Sequence, residues 1–161
     1  MLGKCRKGEL LRTKRHHRVC DLIAEELRVA GLSATREDFV RTNEGDSRFS
    51  DIVAISNEGI SGYILDPTIR FERDLQQPGA VNEEKRQHYI PTLGEYRERH
   101  PRVKHWHVFG LMFGARGVVP KFTADVLTKS LKLPRKLLTD ISHSIVKDSI
   151  ALLNTHLYAK T

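Results

Sequence analysis

Two aspartates stand fifteen positions apart in an otherwise apolar, β-rich stretch, FSDIVAISNEGISGYILDPTIRFE at 49–72. Two apolar runs flank the turn-forming residues Asn57–Ile60 and predict a β-hairpin. If these four residues form the loop, the register places Asp51 directly opposite Asp66, with Cβ atoms about 4.5–5.5 Å apart. Two like charges so placed destabilise a sheet unless something neutralises them, and a divalent metal is one such partner.

Another register stays open from the sequence. A loop one residue longer or shorter would leave one aspartate at a strand end and the other bonded to backbone. The helix predicted after the hairpin, VNEEKRQHY, carries Lys85, His88 and Tyr89 on one face. A crossover helix packs back across its sheet, so Lys85 could reach the carboxylates and stabilise charge on a phosphate. An ordinary solvated helix face is the alternative.

The elements that must position these residues follow from hydrophobic spacing. Pro67 removes one ladder donor from its predicted strand, which therefore needs a bulge or an unpaired edge there. The order α-β-β-β-α-β-α-α predicts one α/β domain with a mixed sheet. The predicted elements are a helix from about 14 to 30, a weak strand at 34–42, the two hairpin strands, a helix ended or kinked by Pro91, a buried strand at 105–114, and amphipathic helices near 121–131 and 134–157.

Composition bounds the possible partners and compartment. The chain has 161 residues, a net charge of +7 and a pI of about 9.6, which suggests a polyanionic partner. It contains no run of eighteen apolar residues and no secretory signal, so we expect no membrane partner. Two cysteines, Cys5 and Cys20, give no disulfide framework and indicate a reducing compartment.

Taken in order, the motifs resemble the PD-(D/E)xK restriction-like nucleases. In the usual version the lysine stands two residues after the second acid, a position that is Thr68 here. The variant with the lysine on the next helix is similar to the restriction-like endonuclease domain at the C-terminus of site-specific non-LTR retrotransposon polyproteins. Two departures are Ser50, where that family has proline, and His88, where it often has a second basic residue. The matching pieces are Lys14-Arg15-His16, Phe49-Ser50-Asp51-Ile52-Val53, Asp66-Pro67-Thr68-Ile69-Arg70-Phe71-Glu72, Lys85 with Tyr89, and Phe113-Gly114-Ala115-Arg116-Gly117.

The resemblance implies a fold, a reaction and a set of site residues. The fold is a restriction-endonuclease-like αβββαβ core with a mixed sheet and C-terminal helices, over residues 14–161. The reaction is a metal-dependent nick in double-stranded DNA, in the nucleus, with the element's RNA as a further partner. Asp51 and Asp66 would hold Mg²⁺ or Mn²⁺, and Lys85 would position the nucleophile. The resemblance also implies that Glu26 contacts the metal through a water molecule and that three residues support the site: His88, Tyr89 and Glu72. The residues implied to contact DNA are Arg12, Lys14, Arg15, His16, Arg18 and Arg116.

Glu26 as a metal contact has a simpler alternative, and the cysteines are not expected to bind zinc. Glu26 falls on an apolar helix stripe, where an acid is costly unless paired or bound to a cation, but a stripe-edge glutamate that reaches solvent is commoner. Cys5 resembles the last ligand of the zinc knuckle that precedes this domain in the family. Residues 1–13 are then a basic arm and remnant of that knuckle, and the chain is expected to be a fragment, a decayed copy or a stand-alone relative of the endonuclease. Because His16, His17 and Cys20 crowd one helix, we predict no zinc and expect Cys20 to be a small buried residue.

Two other functions fit the same composition. A non-catalytic nucleic-acid-binding domain could keep the nuclease fold, and its affinity would not depend on Asp51 or Asp66. A basic structural protein bound to RNA is the third possibility. It leaves the ordered motifs unexplained, and aromatic residues for base stacking are few.

Overall fold

The computed structural model describes residues 6–158 of the chain, with side chains from Gly8 onward. Cys5, the predicted remnant of a zinc knuckle, lies outside the described residues. The elements in chain order are α1 (Arg6–Val29), β1 (Ser33–Arg41), β2 (Ser47–Ile55), β3 (Ser61–Arg70), α2 (Gln77–Tyr89), a 3₁₀ turn (Ile90–Thr92), α3 (Leu93–Arg99), β4 (His105–Gly114), α4 (Lys121–Asp125), a π turn (Val126–Ser130) and α5 (Lys136–Tyr158).

The four strands form one mixed sheet in the order β1-β2-β3-β4. Strands β1, β2 and β3 are antiparallel neighbours, whereas β4 runs parallel to β3 after a crossover through α2 and α3. The predicted α/β fold with a mixed sheet is therefore confirmed. The hairpin register is confirmed as well, because Ile52 pairs with Leu65 and Ile55 with Gly62.

Each face of the sheet has its own apolar core. On one face, buried residues of α1 and α5 such as Ile23 and Ile141 pack with Ile52, Leu65 and Phe113 of the strands. On the other face, Tyr89 and Tyr96 from α2 and α3 pack with Val53, Ile64 and Val108. Lys85 on α2 and the site residues predicted on α1 therefore approach the sheet from opposite sides. No helix within residues 6–158 is long and apolar enough to cross a membrane.

The first helix begins earlier than its apolar spacing predicted. It starts at Arg6 rather than near Lys14, so most of the segment predicted as a basic arm is helical. The added turns have contacts of their own, because the Thr13 hydroxyl donates to the Glu9 carbonyl at 3.0 Å and Arg12 lines a pocket together with residues of α5. Periodicity in the segment alone could not include these contacts.

Pro91 interrupts the helical segment after β3, as predicted. Helix α2 ends at Tyr89, a 3₁₀ turn spans Ile90–Thr92, and α3 resumes at Leu93. Proline cannot donate the next helical hydrogen bond, so the chain tightens and changes direction there. Tyr89 before the break and Tyr96 after it belong to the same apolar core on one face of the sheet.

Gly110 of β4 sets how closely α2 approaches the sheet. A Cβ at this position would lie 2.7 Å from Cβ and Cγ of Lys85 and 2.9 Å from the Val81 carbonyl oxygen. We expect Gly110→Ala to lower the free energy of unfolding by about 1–3 kcal/mol, because it forces α2 outward. Gly79→Ala, in the same helix with open space around it, should instead be neutral or stabilising by up to about 1 kcal/mol. Urea unfolding of both variants checks this, and equal effects would show that α2 tolerates the shift.

Candidate active site

Most of the residues predicted for catalysis line one open pocket of about 400 Å³. It lies where β2 and β3 separate, between α1 and α2. The carboxylates of Asp51 and Asp66 and the ammonium of Lys85 all reach it. Its lining residues are His16, Asp51, Asp66, Pro67, Thr68, Glu84, Lys85, His88 and Tyr89.

Pro67 lies at the point where the two hairpin strands part. The paired positions run from Ile55↔Gly62 to Ile52↔Leu65 and stop just before the level of Asp51 and Asp66. Pro67 has no N–H to offer β2, and its carbonyl oxygen instead lies 3.0 Å from Nε2 of His16. The unpaired edge predicted at this proline is therefore present on the β2 side, while β3 stays paired with β4.

Asp51 is also released from its neighbour on the other side. Arg36 pairs with Ile52 and Asp38 with Ser50, but Glu37 between them has a φ of 50° and does not pair with Asp51. A left-handed conformation costs a non-glycine residue about 1–3 kcal/mol and is often found at functional sites. The Asp51 carbonyl accepts a hydrogen bond from Nε of Arg36 at 3.0 Å instead.

Asp66 is the buried member of the pair. Only 4% of the residue is exposed, and Nζ of Lys85 lies 3.1 Å from its Oδ1. Burial raises the pKa of Asp66, the negative charge of Asp51 raises it further, and the charge of Lys85 opposes both effects. The register thus places two carboxylates together at an energetic cost, which the lysine on α2 reduces.

His16 of α1 compensates the negative charge of Asp51 from the side of the sheet opposite Lys85. Its Nε2 lies 3.1 Å from Oδ2 of Asp51. This hydrogen bond raises the pKa of His16 above its ordinary value, although partial burial of the ring lowers it. The structure places His16, a predicted DNA contact, in the pocket with the acidic residues. The lysine–histidine pair therefore balances the two aspartates.

Tyr89 and His88 lie at the α2 side of the pocket. The Tyr89 hydroxyl donates to the Phe49 carbonyl at 3.0 Å, and burial together with the charges of Asp66 and Asp51 raises its pKa. Tyr89 is thus a buried, neutral support that ties α2 to the strand bearing Asp51. The His88 ring packs edge-on against Tyr89, and burial followed by the charges of Arg48 and Lys85 lowers its pKa.

The two predicted glutamates, Glu26 and Glu72, lie outside this pocket. Glu26 is ten residues beyond His16 on α1, about 15 Å along the helix axis, and interacts electrostatically with Lys136 of α5. Glu72 forms an ion pair with Arg116, with its Oε2 3.0 Å from the Arg116 Nε. Neither carboxylate is among the groups that line the acidic pocket.

The basic residues predicted to contact DNA form two groups. Lys14 is exposed on α1, and Arg18 is held in an ion pair with Asp148. Arg12, Arg15 and Arg116 line a neighbouring, mostly apolar pocket of about 480 Å³ between α1 and α5. Since α1 carries residues of both pockets, its basic N-terminal half lies beside the acidic site.

Sequence reasoning missed three features of the site. Glu84 lines the pocket and forms an ion pair with Arg70, at 2.6 Å. The carbonyl oxygen of Pro67 adds a third oxygen beside the two carboxylates. The third feature is that His16, Cys20 and Asp51 offer ligand atoms that all lie within 4.8 Å of one another and could hold a metal ion. Only the last had a signal in the sequence, because His16 and Cys20 are four residues apart on one helix; the sequence-based expectation of no zinc considered these two residues but not Asp51, which reaches them from β2.

Comparison with models of known protein families finds no match to this chain, and comparison with curated proteins finds none either.

The His16–Asp51 hydrogen bond predicts a pKa change in a variant. We expect Asp51→Asn to lower the pKa of His16, because an amide cannot stabilise the imidazolium as a carboxylate does. Imidazole chemical shifts followed against pH by NMR measure this directly. In the wild type the pair contributes stability that is complete below about pH 6.5, the ordinary histidine value, and is lost as pH rises through the higher folded-state pKa.

Glu37→Gln provides the matched control for that titration. Glu37 lies near the neighbouring histidine, with Oε1 3.7 Å from Nδ1 of His17, and makes no hydrogen bond to His16. The control should leave the His16 titration where it is in the wild type. An unchanged His16 pKa in Asp51→Asn would contradict the hydrogen bond as its cause.

Proposed function

We propose that this protein is a divalent-metal-dependent endonuclease that nicks double-stranded DNA. The observation that carries the proposal is the convergence of Asp51, Asp66 and Lys85 in one open pocket. The hairpin register brings the strands of Asp51 and Asp66 together, and the crossover helix brings Lys85 to them. The three residues are far apart in the sequence and meet only in the folded chain. The resemblance to restriction-like endonuclease domains of non-LTR retrotransposon polyproteins supports the same reaction and a nuclear location.

The residues present fit a hard cation such as Mg²⁺ or Mn²⁺. Asp51 and Asp66 supply carboxylate oxygens, and the Pro67 carbonyl is an oxygen without a strand partner on the β2 side. Oxygen ligands of this kind, completed by water and phosphate, are what Mg²⁺ prefers. Because burial and the charge of Asp51 raise the pKa of Asp66, an added positive charge would favour its ionised form. When bound, the ion would activate water and polarise the scissile phosphate.

Lys85 would act on the phosphate and on the attacking water. Asp66 holds its ammonium at 3.1 Å, and the side chain is only 22% exposed, so the charge has a fixed position at the pocket wall. A preorganised cation of this kind stabilises the negative charge that develops during hydrolysis. His16 can donate from Nε2 at the opposite wall, where it already contacts Asp51.

The basic surface beside the pocket would position the duplex. Lys14 is exposed, Arg12 and Arg15 line the neighbouring pocket, and the whole chain carries a net charge of +7. Contacts of these residues with phosphates would orient DNA without reading its sequence. The proposal therefore predicts salt-sensitive binding with little sequence preference.

A non-catalytic nucleic-acid-binding domain is the second candidate, and one observation favours it. His16 and Lys85 each contact one of the two aspartates, so both negative charges are compensated without a metal. A domain that had lost catalysis could retain this arrangement. The two proposals differ in what the aspartates do, and variants at those positions separate them.

Plasmid nicking by variants is the principal test of catalysis. We expect Asp51→Ala, Asp66→Ala and Lys85→Ala each to lower the nicking rate by about 100-fold or more, because each removes a metal ligand or a fixed charge. Supercoiled plasmid with Mg²⁺ or Mn²⁺ is the substrate, and circular dichroism and DNA binding are measured alongside. Arg86→Ala removes the next cation on the same helix, which pairs with Glu83 instead, and should nick like wild type.

A folded wild type that binds DNA without nicking it, and whose affinity is unchanged in Asp66→Ala, would support the binding domain instead. Wild-type nicking by Asp66→Ala or Lys85→Ala would contradict the assigned site even if the protein were a nuclease. Loss of nicking in Arg86→Ala to the same extent would point to general helix damage.

If Asp66 is a metal ligand, the stabilities of wild type and Asp66→Asn should respond differently to Mn²⁺. Because the folded-state pKa of Asp66 is raised, its contribution to stability is lost as pH rises through that value. Asp66→Asn should therefore unfold at a higher temperature than wild type at pH 7 in EDTA. Mn²⁺ at 100 times its Kd should stabilise the wild type by about 2.7 kcal/mol and leave Asp66→Asn nearly unchanged. An equal response of both proteins to Mn²⁺ would exclude Asp66 as a ligand.

A further inference from the structure

Three chemically different ligand atoms meet beside the acidic pair. His16 and Cys20 are four residues apart on α1, and Asp51 reaches them from β2. Nε2 of His16 lies 3.1 Å from Oδ2 of Asp51 and 3.6 Å from Sγ of Cys20. The three ligand atoms all lie within 4.8 Å of one another. Asp51 thus belongs to this group and to the Asp51–Asp66 pair at the same time.

The spacing of these atoms suits a tetrahedral ion. Zinc binds nitrogen or oxygen at about 2.0–2.2 Å and sulfur at about 2.3 Å, so two ligand atoms of one tetrahedral site lie about 3.3–3.8 Å apart. The separations around Nε2 are close to this range, and small side-chain rotations would complete it. The Pro67 carbonyl oxygen, 3.0 Å from the same nitrogen, or a water from the open pocket, is available as a fourth ligand.

The donor set selects a different class of cation from the two aspartates. Thiolate and imidazole suit Zn²⁺ and its close relatives, whereas Mg²⁺ requires hard oxygen ligands. Zinc would bind the neutral imidazole of His16 through Nε2, with the ring proton on Nδ1, and the thiolate of Cys20, whose proton passes to solvent; an imidazolium at His16 would release one further proton to solvent. The resulting cluster of one dication, one thiolate and one carboxylate is electrically neutral, which favours a site where Cys20 is fully buried.

We propose that His16, Cys20 and Asp51 form a zinc site whose occupation withdraws Asp51 from the catalytic metal and thereby inhibits DNA cleavage. The zinc site itself depends only on the three side chains, and the inhibition rests on the proposed nuclease function. Zinc reaches the site from the acidic pocket, because His16 and Asp51 are partly exposed there, with side-chain exposures of 32% and 22%. Zinc and Mg²⁺ would therefore compete for one carboxylate.

Cobalt substitution tests the site without any need for enzymatic activity. Co²⁺ added to the wild-type protein should give a thiolate charge-transfer band and the intense visible absorption of a tetrahedral ion, and one equivalent of Zn²⁺ should remove both. Cys20→Ser should lose the thiolate band, and His16→Ala should weaken Co²⁺ binding at least about tenfold, since even an outer-shell substitution costs about 10–100-fold in metal affinity.

Two variants are matched controls for the cobalt spectrum. Cys5→Ser removes the other cysteine of the chain and should leave the thiolate band intact. Asp66→Asn removes the carboxylate that belongs only to the hard-cation pair and should also retain the band. The absence of a thiolate band in the wild type, or its persistence in Cys20→Ser, would overturn the zinc site.

Inhibition of nicking tests the competition between the two sites. With Mg²⁺ fixed, the Zn²⁺ concentration that halves the wild-type rate should rise at least tenfold in Cys20→Ser, each variant being compared with its own rate without zinc. Equal sensitivity in both proteins would reject inhibition through this site. If neither the wild type nor Cys20→Ser nicks DNA, the proposed nuclease fails, while the cobalt spectrum still decides whether the zinc site exists.

Discussion

The loss of pairing between β2 and β3 at Pro67 is the constraint on which the site depends. A continued ladder would bond the backbone of Ser50 to position 67 and hold Asp51 opposite Asp66, with Cβ atoms about 4.5–5.5 Å apart. Since proline has no N–H, pairing stops at Ile52 and Leu65, and the strands separate. The gap admits His16 from α1 on one side and Lys85 from α2 on the other. One missing donor thus creates the pocket and access to it.

Charge compensation then holds that opening in place. Asp66 is buried beside a second carboxylate and is stabilised by Lys85, while Asp51 is held by His16. Gly110 lets α2 approach closely enough for the lysine to reach its partner. Each compensating cation comes from a different layer of the molecule, so the packing of both layers determines the electrostatics of the pocket. Holding two carboxylates together lowers the stability of the fold and creates a site that favours the binding of a cation.

Asp51 is the residue common to both proposed metal sites. Towards β3 it belongs to an all-oxygen group suited to Mg²⁺, and towards α1 it belongs to a group with nitrogen and sulfur suited to Zn²⁺. The unpaired backbone around it, with Glu37 in a left-handed conformation, permits its carboxylate to serve either side. Competition between cations follows directly from one carboxylate shared by two unlike donor sets.

The sequence by itself predicted the mixed sheet and most of the order of elements, because the spacing of apolar residues and the turn residues are local signals. It also predicted a hairpin register and a crossover helix that would bring Asp51, Asp66 and Lys85 together, but only the tertiary structure decided between this register and the alternative one. Tertiary structure alone decided that α1 extends to Arg6, that His16 and Cys20 reach Asp51, and that Glu26 and Glu72 lie elsewhere. Those outcomes depend on which face of each helix packs against the sheet and how closely it packs. Both are set by contacts between residues that are far apart in the chain.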